Sequence, residues 1–354
     1  MIVINARFLT QKISGVQRFA IEICKELVKI NVEVKLVSPK NIIHSELFDF
    51  FKCEVVGTNT GYIWEQIDLP IYLKRHEGPL LLNLCNLAPI FYRNKVSIIH
   101  DMAVFANASW FSWKFVLAYR FMIPIIARTS KKIGTVSDFS KREIIKFLKA
   151  PSDKIFIVSN AVSTNFELEH KLEKGLIAEN YILTVGSLDP RKNLLSLIKA
   201  FNSRKNKNTK LVIVGSTNNV FKDQKISELI KENDAIVLSG YVSDTELINL
   251  YKNASAFFYL SLYEGFGIPP LEAMTFKIPC VVSNIAVFKE IFEDACCYVD
   301  PLDIPQITFL FDKVMSNPSN QVESYNRVLK KYSWQKSALS LVSHLHTQYR
   351  INEG

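Results

Sequence analysis

The sequence contains few cysteines, and their spacing matches neither a disulfide framework nor a metal site. The six cysteines include no CxxC and no Cys/His pair at zinc-finger spacing. Four of them lie in apolar surroundings, where cysteine behaves as a small hydrophobic side chain. We therefore expect Cys24, Cys280, Cys296 and Cys297 to be buried. The pattern excludes a small disulfide-rich domain and a zinc finger.

A long uninterrupted apolar run is also absent. The most hydrophobic stretch, 110–127, contains Lys114, Arg120 and Pro124, so it falls short of a membrane-spanning helix. The opening MIVINAR lacks the basic start and small-residue cleavage site of a signal peptide and predicts a first strand. We therefore expect a reducing, cytoplasmic location.

The composition is that of an ordinary globular protein with an excess of positive charge. A length of 354 residues is typical of two domains, and an apolar share of 48% excludes a disordered chain. Lysine and arginine total 43 against 34 acidic residues, which gives a formal net charge of +9. This excess favours an anionic partner: a phosphorylated ligand, a nucleic acid or an acidic membrane surface.

Short β-rich runs alternate with helical patterns along the chain. The predicted strands are 2–5, 33–37, 80–84, 96–99, 181–185, 211–214, 236–238, 256–260 and 280–282. Continuous apolar strands that alternate with helices indicate an α/β protein with parallel sheets covered on both faces. The polar stretch 167–179 separates two such series. We predict two Rossmann-like, doubly wound domains, 1–170 and 171–335, followed by a C-terminal helix, 336–354.

Two loops of the second half are the places to look for a ligand site, because doubly wound sheets bind ligands beyond the carboxyl ends of their strands. The first loop, GSLDPRKN, follows the predicted strand 181–185, and Gly186 permits a tight exit from it. Arg191 and Lys192 stand at the start of the next helix, where unpaired N–H groups already favour anions. Together they suit a diphosphate; a solvated basic turn is the alternative.

The second loop, EGFGIPPLE, follows the apolar strand 256–260. Glu264 stands at its entrance and Glu272 in the first turn of the next helix, so both carboxylates are predicted to face one crevice. Carboxylate oxygens accept hydrogen bonds from paired sugar hydroxyls, and Gly265 and Gly267 let backbone amides approach a phosphate closely. Glu272 taken alone is also explained as a charge complement to the helix N-terminus.

The string EGFGIPPLE resembles the E-x7-E signature of the GT4 retaining glycosyltransferases. LTVGSLDPRKNLLSLIKAF resembles the diphosphate loop of that family, and SGVQRF, HDMAVF, TVSDFSKREI, SNAV and SGYVSDTEL fall in the family's order. The resemblance implies the GT-B fold, in which two Rossmann-like domains face each other across a cleft and the C-terminal helix returns to the first. The combination looks most like the mannosyltransferase-like branch of bacterial polysaccharide biosynthesis.

The resemblance implies that the second domain binds the nucleotide sugar. Arg191 and Lys192 correspond to the pair that holds the donor's pyrophosphate, and Glu264 corresponds to the residue that contacts hydroxyls of the transferred sugar. Glu272 corresponds to the ribose-binding glutamate. The remaining implied donor contacts come from the two glycine-containing loops, at Gly186, Ser187, Gly265, Phe266 and Gly267.

In the first, acceptor-binding domain the resemblance singles out two residues. Gly15 corresponds to the glycine that lies under the diphosphate, and His100 to the histidine that reaches the donor sugar near the reacting carbon. Asp101 either orients the His100 ring or caps a turn. The sequence departs from many relatives at Ser187, where they carry an arginine, so the phosphate contacts rest more heavily on the other cations.

The resemblance further implies a retaining transfer of a hexose from a nucleotide-diphospho-sugar to a lipid-linked oligosaccharide, in O-antigen, capsule or exopolysaccharide synthesis. The mannosyltransferase branch favours GDP-mannose, while a UDP-sugar (glucose, galactose or N-acetylhexosamine) fits the same framework. No first-domain carboxylate at a matching motif offers a nucleophile for double displacement, so same-face attack is implied. No metal-binding DxD motif precedes the site, and we expect neither a metal nor a cofactor besides the donor.

Three other classes fit the sequence less well. A nicotinamide oxidoreductase requires GxGxxG after the first strand, where this chain has a single Gly15. A nucleic-acid-binding module requires RNP strings, zinc fingers or a basic platform interleaved with aromatics, so we expect no nucleic-acid partner. A nucleotide-binding protein without transferase activity is the more distant alternative.

The segment 110–121 bears on membrane contact. Its interleaved Trp, Tyr, Lys and Arg residues are typical of an interfacial helix, and a partly buried core helix is the alternative. Residues 1–170 carry seven of the nine excess positive charges, which an anionic bilayer and a pyrophosphate-linked lipid would both favour. We therefore expect a peripheral enzyme at the inner face of the cytoplasmic membrane.

Overall fold

The structure, a computed structural model, describes residues 1–167, 180–187, 189–204, 208–215, 224–316 and 321–346. The chain divides into two compact units, one formed by Met1–Asn160 with Ser333–Gly354 and the other by Ala161–Tyr332. The predicted boundary at 170/171 lies outside the described residues. The second predicted boundary, at 335/336, lies three residues beyond the division after Tyr332.

The first unit contains a seven-stranded parallel sheet with the strand order β3-β2-β1-β4-β5-β6-β7. Its strands are β1 (Ile2–Asn5), β2 (Val34–Ser38), β3 (Glu54–Val55), β4 (Leu80–Asn83), β5 (Lys95–Ile98), β6 (Lys132–Thr135) and β7 (Ile155–Ile157). Ile4 in β1 pairs with Leu36 on one side and Leu82 on the other, and all three are buried. The strand order reverses between β1 and β4, the kind of position at which doubly wound sheets bind ligands.

Helices alternate with the strands of this sheet along the chain. They are α1 (Gly15–Lys29), α2 (Ser45–Phe50), α3 (Gly61–Ile63), α4 (Leu69–Arg75), α5 (Ala103–Ala106), α6 (Trp113–Thr129) and α7 (Asp138–Leu148). In α1 the buried residues Phe19, Ile23 and Leu27 recur every four positions, the spacing of one helix face. A π-helical turn, Trp64–Asp68, joins α3 to α4.

The second unit contains a six-stranded parallel sheet with the order β10-β9-β8-β11-β12-β13. Its strands are β8 (Tyr181–Val185), β9 (Lys210–Val214), β10 (Ile236–Gly240), β11 (Ala256–Tyr259), β12 (Cys280–Ser283) and β13 (Cys297–Val299). Its helices are α8 (Thr164–Glu167), α9 (Leu194–Ser203), α10 (Gln224–Lys231), α11 (Asp244–Asn253), α12 (Ile268–Thr275), α13 (Ala286–Phe292), α14 (Ile304–Ser316) and α15 (Val322–Lys331). The order reverses between β8 and β11, so the loops after these two strands meet at one edge.

The last helix, α16 (Trp334–His346), belongs to the first unit, where it packs on α1 and β7. Ser337 Oγ donates to Ser159 O at 2.6 Å and Ser340 Oγ to Ile157 O at 2.9 Å. The Trp334 ring meets Phe19 edge-on at 5.8 Å. The predicted fold, with two doubly wound parallel sheets and a C-terminal helix that returns to the first, is confirmed.

Four strands escaped the sequence-based prediction: β3, β6, β7 and β13. β6 has the sequence KIGT, in which the glycine weakens the pattern that predicts a buried strand. Glycine is required there because a Cβ on Gly134 would lie 2.3 Å from Ile98 Cδ1. β3 has only two residues, and β13 is a short edge strand. All six cysteines are free, and burial is confirmed for Cys24, Cys280 and Cys296. The prediction was wrong for Cys297, which is half-buried because it begins that edge strand.

The segment 110–121 ends in an exposed helix face. Trp113, Leu117 and Phe121 in the amino-terminal part of α6 are 71%, 65% and 62% exposed, whereas Ile123 and Ile126 further along are buried. The exposed part thus fits the interfacial alternative and the later part fits the core alternative. Within the described residues, no helix has both the length and the apolar character needed to cross a membrane.

Candidate functional site

The two predicted loops of the second unit lie together because β8 and β11 are neighbouring parallel strands. The loop after β8 carries Arg191 and Lys192, and the loop after β11 carries Glu264. A backbone hydrogen bond from Leu262 N to Arg191 O, 2.8 Å long, joins the two loops directly. Arg191, Lys192 and Glu264 therefore lie at one edge of the sheet.

The basic loop is a single 3₁₀ turn, Pro190–Lys192, whose start is capped by Asp189. Asp189 Oδ1 accepts a hydrogen bond from Arg191 N at 3.1 Å, and Ser187 Oγ donates to Asp189 Oδ2 at 2.6 Å. Asn193 ends the turn with φ at 55°, a left-handed conformation that asparagine tolerates better than most residues. Ser187, which stands where relatives carry arginine, therefore supports the turn that presents the two cations.

A compact cationic cluster, formed by Arg191, Lys192, Tyr259 and Glu264, occupies this edge. Lys192 Nζ donates to Tyr259 Oη at 2.7 Å and also to Glu264 Oε1. Tyr259 Oη in turn donates to Glu264 Oε1 at 3.0 Å, and Arg191 Nη1 lies 4.0 Å from Glu264 Oε2. One carboxylate oxygen thus accepts from both an ammonium and a phenol, which fixes the position of the lysine.

The electrostatics of this cluster keep Glu264 ionised although its side chain is 10% exposed. Burial alone favours the neutral acid, but the charges of Lys192 and Arg191 outweigh it and lower the pKa of Glu264 below its ordinary value. Burial and the neighbouring Glu264 charge raise the pKa of Tyr259 well above its ordinary value, so the phenol stays protonated as a donor. The cluster therefore holds two cations and one carboxylate at neutral pH.

Glu272 lies in α12 and is held by a different partner from Glu264. Tyr251 Oη donates to Glu272 Oε2 at 2.8 Å, and the glutamate is 5% exposed. Burial, followed by the Glu272 charge, raises the pKa of Tyr251 well above its ordinary value. The prediction that Glu272 lies in the first helical turn was wrong, because α12 begins at Ile268 and has no acidic residue there. Its alternative role as a complement to the helix N-terminus is therefore not supported.

The predicted glycines differ in how far the structure requires them. Gly267 has φ at 113°, and a Cβ there would lie 2.9 Å from ring carbons of Phe288 and Phe292, so only glycine fits. Gly186 does not have a left-handed φ, and a Cβ there would lie 3.6 Å from Lys192 Cε, an ordinary contact. The backbone at Gly186 thus does not itself require glycine.

Gly265 and Phe266 complete the loop after β11, and both are buried. The Phe266 ring meets Tyr332 edge-on with centroids 5.1 Å apart, so its side chain is part of the packing of the second unit. The side chain of Phe266 therefore contributes to packing.

The two residues predicted in the first unit lie on separate elements. His100 follows β5, is buried, and its Nε2 hydrogen-bonds to Leu84 O at 2.9 Å. Burial lowers the pKa of His100 despite the opposing effects of that carbonyl and of Asp101, so the ring is neutral at pH 7 with Nδ1 as an acceptor. Its ring meets Phe19 edge-on at 4.7 Å. Gly15 is the exposed first residue of α1.

Sequence reasoning missed Tyr259, Tyr251 and Asp189. Tyr259 ends the apolar run AFFY, where it gave no sign of a polar contact. Tyr251 lies in α11, distant in sequence from its partner Glu272. Asp189 did carry a signal, because Asp-Pro before a helix is a common capping pattern. Within the residues that the structure describes, no group of three or more His, Cys, Asp or Glu side chains could hold a metal ion.

Comparisons with known proteins identify the family of this chain. The family described as "Glycosyl transferases group 1" matches residues 169–333. The chain is 31% identical over 242 residues to the O-antigen chain mannosyltransferase RfbU of Salmonella typhimurium, covering 68% of this chain and 66% of the relative. It is 29% identical over 264 residues to the O-antigen chain mannosyltransferase B of Escherichia coli, covering 70% of this chain and 69% of that relative.

The fold is shared with solved structures across nearly the whole chain. The crystal structure of a glycosyltransferase from Rickettsia africae superposes with a TM-score of 0.73 at 17% identity, covering 99% of this chain and 98% of the other. This similarity confirms the GT-B fold, and the relatives confirm the resemblance to the mannosyltransferase-like branch. The chain belongs to the group 1 family of glycosyltransferases.

Proposed function

We propose that the protein is a retaining glycosyltransferase that moves a hexose from a nucleotide-diphospho-sugar to a lipid-linked saccharide. The observation that carries the proposal is the cationic cluster, in which Lys192 and Arg191 flank the ionised Glu264 at the carboxyl edge of β8 and β11. A diphosphate carries the charge that the two cations would neutralise, and a guanidinium can bind it in bidentate fashion.

The proposed donor contacts follow from the chemistry of each side chain. Arg191 and Lys192 bind the diphosphate, and Glu264 accepts hydrogen bonds from hydroxyls of the transferred sugar through its less engaged oxygen, Oε2. Glu272 accepts hydrogen bonds from the ribose, while Tyr251 orients its carboxylate.

Mannose from GDP-mannose is the proposed donor sugar. Two relatives that align over about two thirds of the chain are named O-antigen chain mannosyltransferases, which supports this choice and a role in O-antigen synthesis. A UDP-sugar is the competing donor, because the cluster binds the diphosphate and not the base.

The proposed reaction proceeds by same-face attack, in which the departing phosphate helps to deprotonate the acceptor hydroxyl. Charge that develops on the leaving diphosphate is stabilised by Arg191 and Lys192, which are held in position before the reaction begins. Because these two cations supply the neutralising charge, we propose that the reaction does not require a divalent metal.

A donor-hydrolysis screen over purified GDP- and UDP-sugars tests the proposal. We expect GDP-mannose to be hydrolysed fastest, and Lys192→Ala or Arg191→Ala to lower turnover roughly 10²- to 10³-fold, the effect of losing one charge-stabilising donor. Lys199→Ala removes an exposed lysine of α9 and serves as the matched control. Near-normal turnover in both variants would overturn the assignment, and loss of activity in EDTA would overturn metal independence.

We propose that the first unit contacts an anionic membrane surface, where a lipid-linked acceptor resides. The exposed face of α6 supports this, because it combines Trp113, Leu117 and Phe121 with the exposed cations Lys114 and Arg120. Apolar side chains flanked by cations are the composition of an interfacial helix.

Co-sedimentation with liposomes containing phosphatidylglycerol tests the membrane contact. We expect Trp113→Ala with Phe121→Ala to abolish binding, because the two changes remove the largest exposed apolar side chains of the face. Phe50→Ala, which removes an exposed aromatic of α2, is the control. Equal binding by the double variant and the control would contradict the proposal.

A further inference from the structure

A second group of polar side chains lies in the first unit, at the carboxyl ends of β1 and β4. These strands are neighbours at the position where the order of the seven-stranded sheet reverses. Asn5 and Asn83 end the two strands, and Asn5 Nδ2 donates to Asn83 Oδ1 at 2.7 Å. The sequence-based site prediction included neither residue.

The π-helical turn Trp64–Asp68 brings a glutamate, Glu65, into this group. Such turns are rare and occur frequently at functional sites. The turn is anchored on two sides, because Trp64 Nε1 donates to Val56 O at 2.6 Å and Gln66 Nε2 donates to Ala88 O at 3.1 Å. Glu65 is therefore held in place by its own segment, not only by its polar partners.

Glu65 forms an ion pair with Arg7 whose hydrogen bonding is incomplete. Glu65 is 0% exposed, and its Oε1 accepts from Asn5 Nδ2 at 2.7 Å and from Arg7 Nε at 3.2 Å. The second oxygen, Oε2, is buried and has no donor among the described residues. Arg7 stacks on the Tyr62 ring at 4.8 Å, and its Nη1 and Nη2 donate to no described group. Buried carboxylate oxygens ordinarily accept hydrogen bonds, so the described residues satisfy this ion pair only in part.

The Arg7 nitrogens that have no described partner indicate which kind of ligand would bind here. Arg7 and Glu65 neutralise each other, which makes the pair a poor site for a free anion. Arg7 still offers two donor nitrogens, and a hydroxyl oxygen accepts hydrogen bonds. The Tyr62 ring, 53% exposed, adds an apolar surface next to them. A sugar ring presents the matching combination of hydroxyl groups and an apolar C–H face.

We propose that Arg7 and Tyr62 form a saccharide-binding subsite of the first unit, with Glu65 as the buried residue that positions Arg7. Arg7 donates through Nη1 and Nη2 to sugar oxygens, the sugar ring packs on Tyr62, and Glu65 holds the guanidinium through Nε. Asn5 and Asn83 are positioning residues that hold Glu65 Oε1. The subsite rests on the proposed function only for the identification of its saccharide as part of the acceptor.

Saturation-transfer NMR on the full chain tests the subsite without requiring turnover. The probes are methyl α-mannoside and N-acetylglucosamine, with inorganic phosphate as the anionic competitor. We expect saccharide binding that Glu65→Gln and Tyr62→Ala each weaken roughly tenfold, and that Phe50→Ala leaves unchanged. Tyr62→Ala changes an exposed side chain, so it remains informative if Glu65→Gln fails to fold.

Three results would overturn the subsite: no binding of either saccharide, unchanged binding in Tyr62→Ala, or displacement of the saccharide by equimolar inorganic phosphate. The donor-hydrolysis screen separates this failure from failure of the proposed function. A wild-type protein that hydrolyses GDP-mannose but binds neither saccharide probe contradicts the subsite alone. One that binds saccharides through Tyr62 but hydrolyses no donor contradicts the transferase proposal alone.

Discussion

Replacing Glu264 by glutamine removes the negative charge of the cationic cluster while nearly preserving the shape of the side chain. In the wild type this charge faces Lys192 Nζ directly and Arg191 Nη1 at 4.0 Å, and the side chains involved are only 10–15% exposed. The variant leaves two cations close together without their carboxylate. Its effect on stability therefore measures how far the cluster is shielded from water.

The magnitude distinguishes a buried pair from a surface pair. Removing one partner of a buried ion pair costs about 3–5 kcal/mol, and the amide oxygen that remains as an acceptor places our expectation near 3 kcal/mol. An exposed pair would contribute at most about 1 kcal/mol. For a unit of this size each kcal/mol shifts the melting temperature by roughly 2–4 °C, so we expect a decrease of roughly 6–12 °C.

Ligand binding should change in the opposite direction. Without its carboxylate, the cluster attracts a diphosphate more strongly, so GDP or UDP should raise the melting temperature of Glu264→Gln more than that of the wild type. Turnover should nevertheless fall roughly 10- to 100-fold, because a charged acceptor for the sugar hydroxyls is lost.

Differential scanning fluorimetry with and without GDP, together with donor hydrolysis, measures all three effects. Glu232→Gln, which neutralises an exposed glutamate of the same unit, is the matched control. A melting temperature within 2 °C of the control would refute the assignment of a shielded cluster. Weaker stabilisation by nucleotide in Glu264→Gln than in the wild type would refute the location of the diphosphate.

Three further predictions concern stability and donor affinity. Burial, and secondarily the charge of Lys154, lower the pKa of Lys95 to about 7, whereas a lysine in the unfolded chain titrates near 10.4. The free energy of unfolding in urea should therefore rise from pH 7 to about 10 in the wild type relative to Lys95→Met. Parallel pH profiles of the two proteins would contradict this. Gly267→Ala should cost roughly 2–4 kcal/mol in the same assay, because its left-handed φ and the rings of α13 exclude a Cβ, whereas Gly186→Ala should cost under about 0.5 kcal/mol. Tyr251→Phe should raise the KM for the nucleotide sugar roughly tenfold if Tyr251 orients a ribose-binding carboxylate, and an unchanged KM would leave Tyr251 a purely structural role.

The fold was predictable where residue pattern and burial coincide. Strands such as Tyr181–Val185 and Ala256–Tyr259 are continuous apolar runs because helices cover both faces of the sheet, and both were predicted to within one residue. β6 escaped because a glycine in the sheet interior makes room for Ile98, a requirement that depends on the neighbouring strand. Information of that kind is not present in the local sequence.

The candidate site likewise contains residues that could be predicted from the sequence and residues that could not. Arg191, Lys192 and Glu264 were predictable together because each follows a strand, and neighbouring parallel strands end at one edge. Tyr259 was not, since its hydroxyl gains a function only when β8 and β11 pair and bring Lys192 within 2.7 Å. The Glu65–Arg7 pair could not be predicted from the sequence either, because a π-helical turn and the end of β1 come together only in the folded unit.

The charge distribution explains why the overall positive excess is a poor guide to the donor site. Arg191 Nε lies 3.5 Å from Asp189 Oδ1, and Lys192 pairs with Glu264, so the cations of the resting site are already neutralised. Under the proposed function, a diphosphate would have to exchange these ion pairs for new ones. It could do so because it carries more charge and more acceptor oxygens than a single carboxylate, whereas a monovalent anion would gain nothing by the exchange. On this proposal the two carboxylates hold the cations in position before the donor arrives and make the site selective for a multiply charged ligand.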